Sequence, residues 1–176
     1  MRRAVFLDRD GVLTRSEVRD GKPYAPRRLE DLELLPGVAE TTRALRDAGW
    51  LRVVVTNQPD IATGKLAPAV LAAMHDQLRA WLPLDDIRTC CHTDADACDC
   101  RKPKPGLLLA AARELDIDLR ASFMVGDRWR DVSAGKAAGC RTFFLDYGYA
   151  EELRDAPDFT VKSLSDAGRI ILGQMT

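Results

Sequence analysis

No run of eighteen apolar residues occurs in these 176 residues, and only two histidines are present. Without such a run a membrane-spanning helix is excluded by length. The opening Met1–Asp8 meets a charge after four apolar residues, too soon for a signal peptide. Neither sign of charge dominates: 26 basic side chains face 27 acidic ones, for a net charge of −1. That argues against a broad nucleic-acid or membrane footprint while leaving room for a local basic pocket. Internal repeats, low-complexity tracts and linkers are lacking too. What remains is an ordinary globular balance, 46% apolar and 30% charged, in a length that suits one domain spanning residues 1–176. A cytoplasmic monomer is the expectation.

Cysteine is scarce and unevenly spent. Of five, four lie between positions 90 and 100. In a reducing compartment such a cluster reads as metal ligands before disulfides. Cys90, His92, Cys98 and Cys100 offer three thiolates and an imidazole, a closed tetrahedral zinc set. Four protein ligands leave no open position for water, so the zinc is expected to be structural. Cys91 points away from its neighbour and stays outside the set. Cys140 reads as buried filler, and His75 as a mid-helix residue at the surface or partly buried. Arg101-Lys102-Pro103 follows the cluster directly, so a metal knot there would hold a phosphate-binding lysine in place.

Short apolar runs alternate with helical patterns. Strands are expected at Ala4–Leu7, Leu51–Val55, Ile87–Thr89, Ser122–Val125, Thr142–Leu145 and near Phe159–Val161. Helices are expected from Val38 through Leu45, over Pro68–Trp81, from Pro105 to Leu115, over Val132–Ala138 and from Ser165 to Leu172. This alternation implies a parallel sheet with helices on both faces. Ligands of such sheets bind beyond the carboxyl ends of the strands. The polar residues gather there: Asp8 and Asp10, Thr56 and Asn57, Cys90 and His92, Asp127 and Asp131. Thr14–Asp31 reads as a charged surface loop.

Asp8-Arg9-Asp10-Gly11 sends two carboxylates, two residues apart, from one strand end into one cleft. So close a pair resists joint ionisation unless a cation or the environment separates them. A hard divalent cation such as Mg²⁺ would hold Asp8 charged, with Asp127 as a further oxygen ligand. A carboxylate can also serve as a nucleophile that forms an aspartyl-phosphate.

Four motifs stand in order: Asp8-Arg9-Asp10-Gly11-Val12, Thr56-Asn57-Gln58, Lys102-Pro103, and Gly126-Asp127 with Asp131. Together they resemble the haloacid dehalogenase-like phosphatase superfamily over nearly the whole chain. The resemblance implies a three-layer α/β/α Rossmann-like parallel sheet, capless, with a zinc-binding loop. It implies Asp8 as nucleophile and Asp10 as general acid and base. It implies Mg²⁺ held by Asp8, the backbone carbonyl of Asp10, and Asp127. Thr56 and the amide of Asn57 would bind phosphoryl oxygens, and Lys102 would neutralise charge in the transition state. Asp131 would support Lys102 or the metal shell. Gln58, Arg101 and Arg128 complete the expected substrate contacts, and Arg15, Arg19, Lys22 and Lys65 are further candidates for a second phosphate.

The zinc motif before Arg101-Lys102-Pro103 resembles the branch of histidinol-phosphate and D,D-heptose 1,7-bisphosphate phosphatases. The five-residue gap between His92 and Cys98 leans toward the former. Leu34–Val38 and Thr56–Lys65 lean toward the latter, with departures at Pro59, Asp60 and Thr63 beside the phosphate site. The reading adopted is hydrolysis of the C7 phosphate of D-glycero-D-manno-heptose 1,7-bisphosphate. Histidinol phosphate or another sugar phosphate is the alternative substrate, and a non-catalytic zinc-binding interaction module the remote one.

Overall fold

The computed structural model describes residues 1–174. Eight strands and five helices alternate in it: β1 (Ala4–Leu7), β2 (Glu17–Arg19), β3 (Lys22–Tyr24), α1 (Val38–Asp47), β4 (Leu51–Asn57), α2 (Pro68–Trp81), β5 (Asp86–Cys90), α3 (Gly106–Leu115), β6 (Phe123–Gly126), α4 (Trp129–Ala138), β7 (Arg141–Leu145), β8 (Phe159–Val161) and α5 (Leu164–Ile171). Six of the strands form one sheet in the order β5-β4-β1-β6-β7-β8, with every neighbouring pair parallel.

The three layers follow from the period of two along each strand. Val5, Leu7, Val54, Val125, Phe143 and Leu145 point to one face, where they pack with Val38 and Leu45 of α1, Leu71, Met74 and Leu78 of α2, and Leu164 of α5. Ala4, Phe6, Val53, Val55 and Met124 point to the other, against Leu107, Leu108 and Ala111 of α3 and Ala134 of α4. β1 and β4 are therefore apolar at almost every position, as strands buried on both faces must be. The six strands of this sheet all run the same way, so their carboxyl ends share one edge, and β1 lies near its centre between β4 and β6.

The elements match the sequence expectations closely, with two differences. Thr14–Asp31 is not a plain loop: β2 and β3 pair antiparallel there, Glu17 opposite Tyr24 and Arg19 opposite Lys22. Asp20 and Gly21 both have positive φ, 49° and 71°, the two-residue turn that Asp-Gly favours. The two strands are largely exposed, so no apolar alternation advertised them. The second difference is the start of α4, at Trp129 rather than Val132. The Asp131 carboxylate accepts the Arg128 backbone N–H at 3.1 Å, closing the first turn ahead of Val132. Apart from that hairpin, only α2, β5 and the cysteine loop separate the other two points where a covering domain could be inserted, so the sheet edge stays open, as the capless reading expects.

Candidate active site

Four strand ends and the start of α3 converge at that edge. The chain leaves β1 so that Asp8 and Asp10 turn toward the cleft while Arg9, between them, turns inward. Arg9 is fully buried: Nη1 reaches the Met74 sulfur at 3.8 Å and Nη2 lies 3.0 Å from Asp10 Oδ2. Asp10 also accepts hydrogen bonds from Gln58 Nε2 at 2.8 Å and Thr14 Oγ1 at 3.2 Å. Gly11 must be glycine, because its φ is +90° and a Cβ there would stand 2.0 Å from Asp127 Oδ2.

Lys102 is the buried hub. Its ammonium donates to Asp8 Oδ1 at 2.8 Å and to the Val55 carbonyl at 2.7 Å, and Asp131 Oδ1 lies 2.6 Å away. Three donors thus meet three acceptors, which a side chain only 2% exposed requires. Asn57 holds the lysine's backbone from both sides: Nδ2 donates to the Lys102 carbonyl at 3.0 Å, and Oδ1 accepts its N–H at 3.1 Å. Thr56 is buried, and its hydroxyl accepts from Gln58 Nε2 at 2.9 Å.

Asp8, Asp127 and Asp131 bring carboxylate oxygens within 4.8 Å of one another. Burial first, then repulsion from Asp131 and Asp10, pushes the Asp8 carboxyl up to about 7, against the opposing pull of Lys102. Burial and the charges of Asp8 and Asp131 likewise raise Asp127 well above the carboxylate range. Three buried carboxylates sharing one lysine are short of positive charge. The surplus falls on Asp127: Oδ2 accepts the Tyr149 hydroxyl at 2.9 Å, but buried Oδ1 has no partner. Asp131 has no such vacancy, since Lys102 takes one oxygen and the Arg128 N–H the other. A hard cation beside Asp8 and Asp127 fits this donor set.

The cysteine loop forms a second cluster. Sγ atoms of Cys90, Cys98 and Cys100 lie 3.2–3.7 Å apart, and His92 Nδ1 is 3.5 Å from Cys90 Sγ and 3.3 Å from Cys100 Sγ. Edges near 3.8 Å are expected when thiolates surround zinc at about 2.3 Å. Burial opposes ionisation of Cys98, but the backbone N–H groups of Arg101 and Cys100 and the neighbouring thiols bring it down to about 6. Cys91 packs into the α1/α2 core instead, and Cys140 is buried. Within the loop Asp94 receives Arg101 Nε at 2.9 Å and both outer nitrogens of Arg130 at 3.0 Å.

A cleft of about 400 Å³ joins these parts, lined by Asp8, Asp10, Asn57, Gln58, Lys102 and Asp127, with Arg101, Arg128 and Lys65 on its rim. Arg15 and Arg19 do not line it; they pair with Glu33 and Glu17 on the surface. Lys22 lines a smaller neighbouring cavity of about 290 Å³ together with Arg128 and Glu151. The side chains of Asn57 and Gln58 are engaged within the protein, on Lys102 and on Asp10 with Thr56. His75 is more buried than its position suggested, 9% exposed, and burial with the nearby Arg9 charge lowers it to about 4.

Sequence reading passed over Arg9, Tyr147, Tyr149 and Glu151. Tyr147 donates to the Gly11 carbonyl at 2.8 Å, and Glu151 takes Arg128 in a bidentate pair at 2.6 and 2.8 Å. The signal was available, because Asp146–Glu151 follows β7 and so leaves the same sheet edge as Asp8 and Thr56.

A family model for HAD-hydrolase-like proteins matches residues 99–167. The D-glycero-β-D-manno-heptose-1,7-bisphosphate 7-phosphatase of Pasteurella multocida (strain Pm70) is 35% identical over 98% of this chain and 98% of its own. The protein of the same name from Vibrio cholerae is 39% identical over 81% and 80%. The crystal structure of D,D-heptose 1,7-bisphosphate phosphatase from B. bronchiseptica, complexed with magnesium and phosphate, superposes with a TM-score of 0.85 at 30% identity, covering 98% of this chain and 99% of that one. The enzyme of that name from Burkholderia thailandensis gives 0.69 at 26% identity over 97% and 99%. With the four strand-end motifs gathered around one buried lysine, this chain belongs to the haloacid dehalogenase-like phosphatases, in the family of the heptose 1,7-bisphosphate phosphatases.

Proposed function

We propose that this phosphatase removes the C7 phosphate of D-glycero-D-manno-heptose 1,7-bisphosphate through an aspartyl-phosphate on Asp8. The observation that carries the mechanism is the Lys102 hub, which holds one oxygen of Asp8 and leaves the other for attack. As that oxygen bonds to phosphorus, the bond from phosphorus to the sugar oxygen breaks, and Asp10 supplies the proton the departing alkoxide needs. Asp10 then takes a proton from water as the water attacks the same phosphorus, releasing inorganic phosphate and restoring Asp8. Gln58, Thr14 and Arg9 hold Asp10 beside Asp8 for both steps. Thr56 and the backbone amide of Asn57 bind phosphoryl oxygens, while the Asn57 side chain keeps Lys102 in line. Asp8, the Asp10 carbonyl and Asp127 would hold Mg²⁺, which would supply positive charge against the phosphoryl group.

Arg101 and Arg128 are the rim contacts for the sugar and its second phosphate, whereas Gln58, expected among them, is buried and spends its amide on Asp10 and Thr56. Zn²⁺ on Cys90, His92, Cys98 and Cys100 is structural. Bound there it would fix the loop that carries Asp94, whose carboxylate holds Arg101 and Arg130 at the cleft. We read residues 1–176 as one domain working as a monomer in the cytoplasm, where reduced thiols keep such a set intact.

Asp8→Asn tests the nucleophile: phosphate release falls to background while the thermal melt stays cooperative, and normal turnover in that variant refutes the assignment. Profiling heptose 1,7-bisphosphate against histidinol phosphate and other sugar phosphates tests the substrate. A clear preference for histidinol phosphate overturns it.

A further inference from the structure

The arginines on the cleft rim each have a carboxylate partner. Arg27 pairs with Asp60 at 2.6 Å, Arg101 and Arg130 with Asp94, and Arg128 with Glu151. The Glu151 pair stands out, because it reaches the cleft from the segment after β7 and uses both oxygens. Oε2 lies 2.6 Å from Arg128 Nη2, Oε1 lies 2.8 Å from Arg128 Nε, and Oε1 also accepts the Trp129 backbone N–H at 3.3 Å. An arginine fork and an amide from the first turn of a helix are the contacts a phosphate oxygen seeks. A carboxylate of the chain itself holds them.

The pair is not a loose surface contact. Its segment is tied down residue by residue: the Tyr147 hydroxyl donates to the Gly11 carbonyl at 2.8 Å, the Tyr149 hydroxyl to Asp127 at 2.9 Å, and the Ala150 N–H to the Gly21 carbonyl at 3.0 Å. The Glu151 side chain is 18% exposed. Those anchors lie on the backbone and on other side chains, so the carboxylate can leave Arg128 by rotating about its own bonds while the segment stays in place.

We propose that Glu151 is a specificity-determining residue, an internal anion that occupies Arg128 and that a second phosphate on the substrate must displace. Glu151 thereby lowers the affinity of the cleft for bisphosphates relative to monophosphates. The inference rests on Arg128 being a rim contact for substrate, as read above. It also explains how a site with many arginines avoids holding any polyanion indiscriminately: each anion must first compete with a carboxylate at very high local concentration.

The test is competitive inhibition of p-nitrophenyl phosphate hydrolysis by fructose 1,6-bisphosphate and by fructose 6-phosphate, in wild type, Glu151→Gln and Glu151→Asp. In Glu151→Gln the inhibition constant of the bisphosphate is expected to fall roughly tenfold, and that of the monophosphate by less than about twofold. The gain shrinks at about 0.5 M salt, where exposed charges are screened. Glu151→Asp keeps the charge and lies closer to wild type. An unchanged ratio of the two constants in Glu151→Gln overturns the proposal. So does weaker bisphosphate binding, the result if Glu151 merely held Arg128 in position. The substrate reading fails separately: wild type inactive on heptose 1,7-bisphosphate defeats that reading, while the inhibition ratio still decides the role of Glu151.

Discussion

Replacing Asp127 by asparagine should stabilise the metal-free protein and abolish its response to magnesium. Asp127 is 1% exposed and shares a space under 4.8 Å across with Asp8 and Asp131. At such a separation two like charges repel by about 3–4 kcal/mol at an effective dielectric near 20. Lys102 and proton uptake offset part of this, so the isosteric amide is expected to gain roughly 1–3 kcal/mol. For a chain of this size that raises the melting temperature by about 2–10 °C. Asparagine can still accept from Tyr149, and its amide nitrogen replaces the partnerless Oδ1 with a donor facing carboxylates. Wild type should instead gain about 2.7 kcal/mol from magnesium at a hundred times its dissociation constant. The assay is thermal unfolding with and without MgCl₂, after dialysis without chelator so that the cysteine site is not stripped. The reasoning is refuted if the variant melts below wild type in metal-free buffer, or if it keeps the full magnesium shift.

Two more outcomes are expected. Cys98→Ala should lower the zinc content from about one per chain to near zero by elemental analysis. Turnover should drop with it, because Asp94 no longer fixes Arg101 and Arg130; a fully active, zinc-free variant contradicts this. His75 governs part of the acid limb of stability. A base whose folded value is depressed, here to about 4 from 6.5, contributes fully above 6.5 and loses that contribution as pH falls toward 4. The loss is at most about 3 kcal/mol, and roughly 1–2 kcal/mol allowing for solvent at the ring edge. His75→Leu should therefore flatten the urea midpoint between pH 6.5 and 4 relative to wild type, and parallel profiles refute it.

Much of the candidate site was legible because backbone position places its residues. Asp8, Thr56 and Asp127 each follow an apolar run, so the strand pattern alone sends them to one edge. The cysteine spacing was as plain, since Cys90, His92, Cys98 and Cys100 lie within eleven residues and need little tertiary help to meet. The hairpin at Glu17–Tyr24 was missed because exposed strands carry no burial pattern, although Asp20-Gly21 spelled its turn. Tyr149 and Glu151 were missed although they follow β7 to the same edge, because the partners they meet, Asp127 and Arg128, depend on β7 lying beside β6.

The sequence by itself determined the alternation of strands and helices, the order of the four motifs and the grouping of Cys90, His92, Cys98 and Cys100. Those depend on local period and spacing, which the chain carries residue by residue. Only the tertiary structure decided which partner each charge has. Lys102 takes Asp8 and Asp131, 94 and 29 residues away by number, because β1, β6 and the start of α3 meet at one edge. Glu151 takes Arg128 because the segment after β7 folds back over α4. Ion pairs form between groups brought within a few ångströms, and that distance is set by the packing of the sheet and its two helical layers.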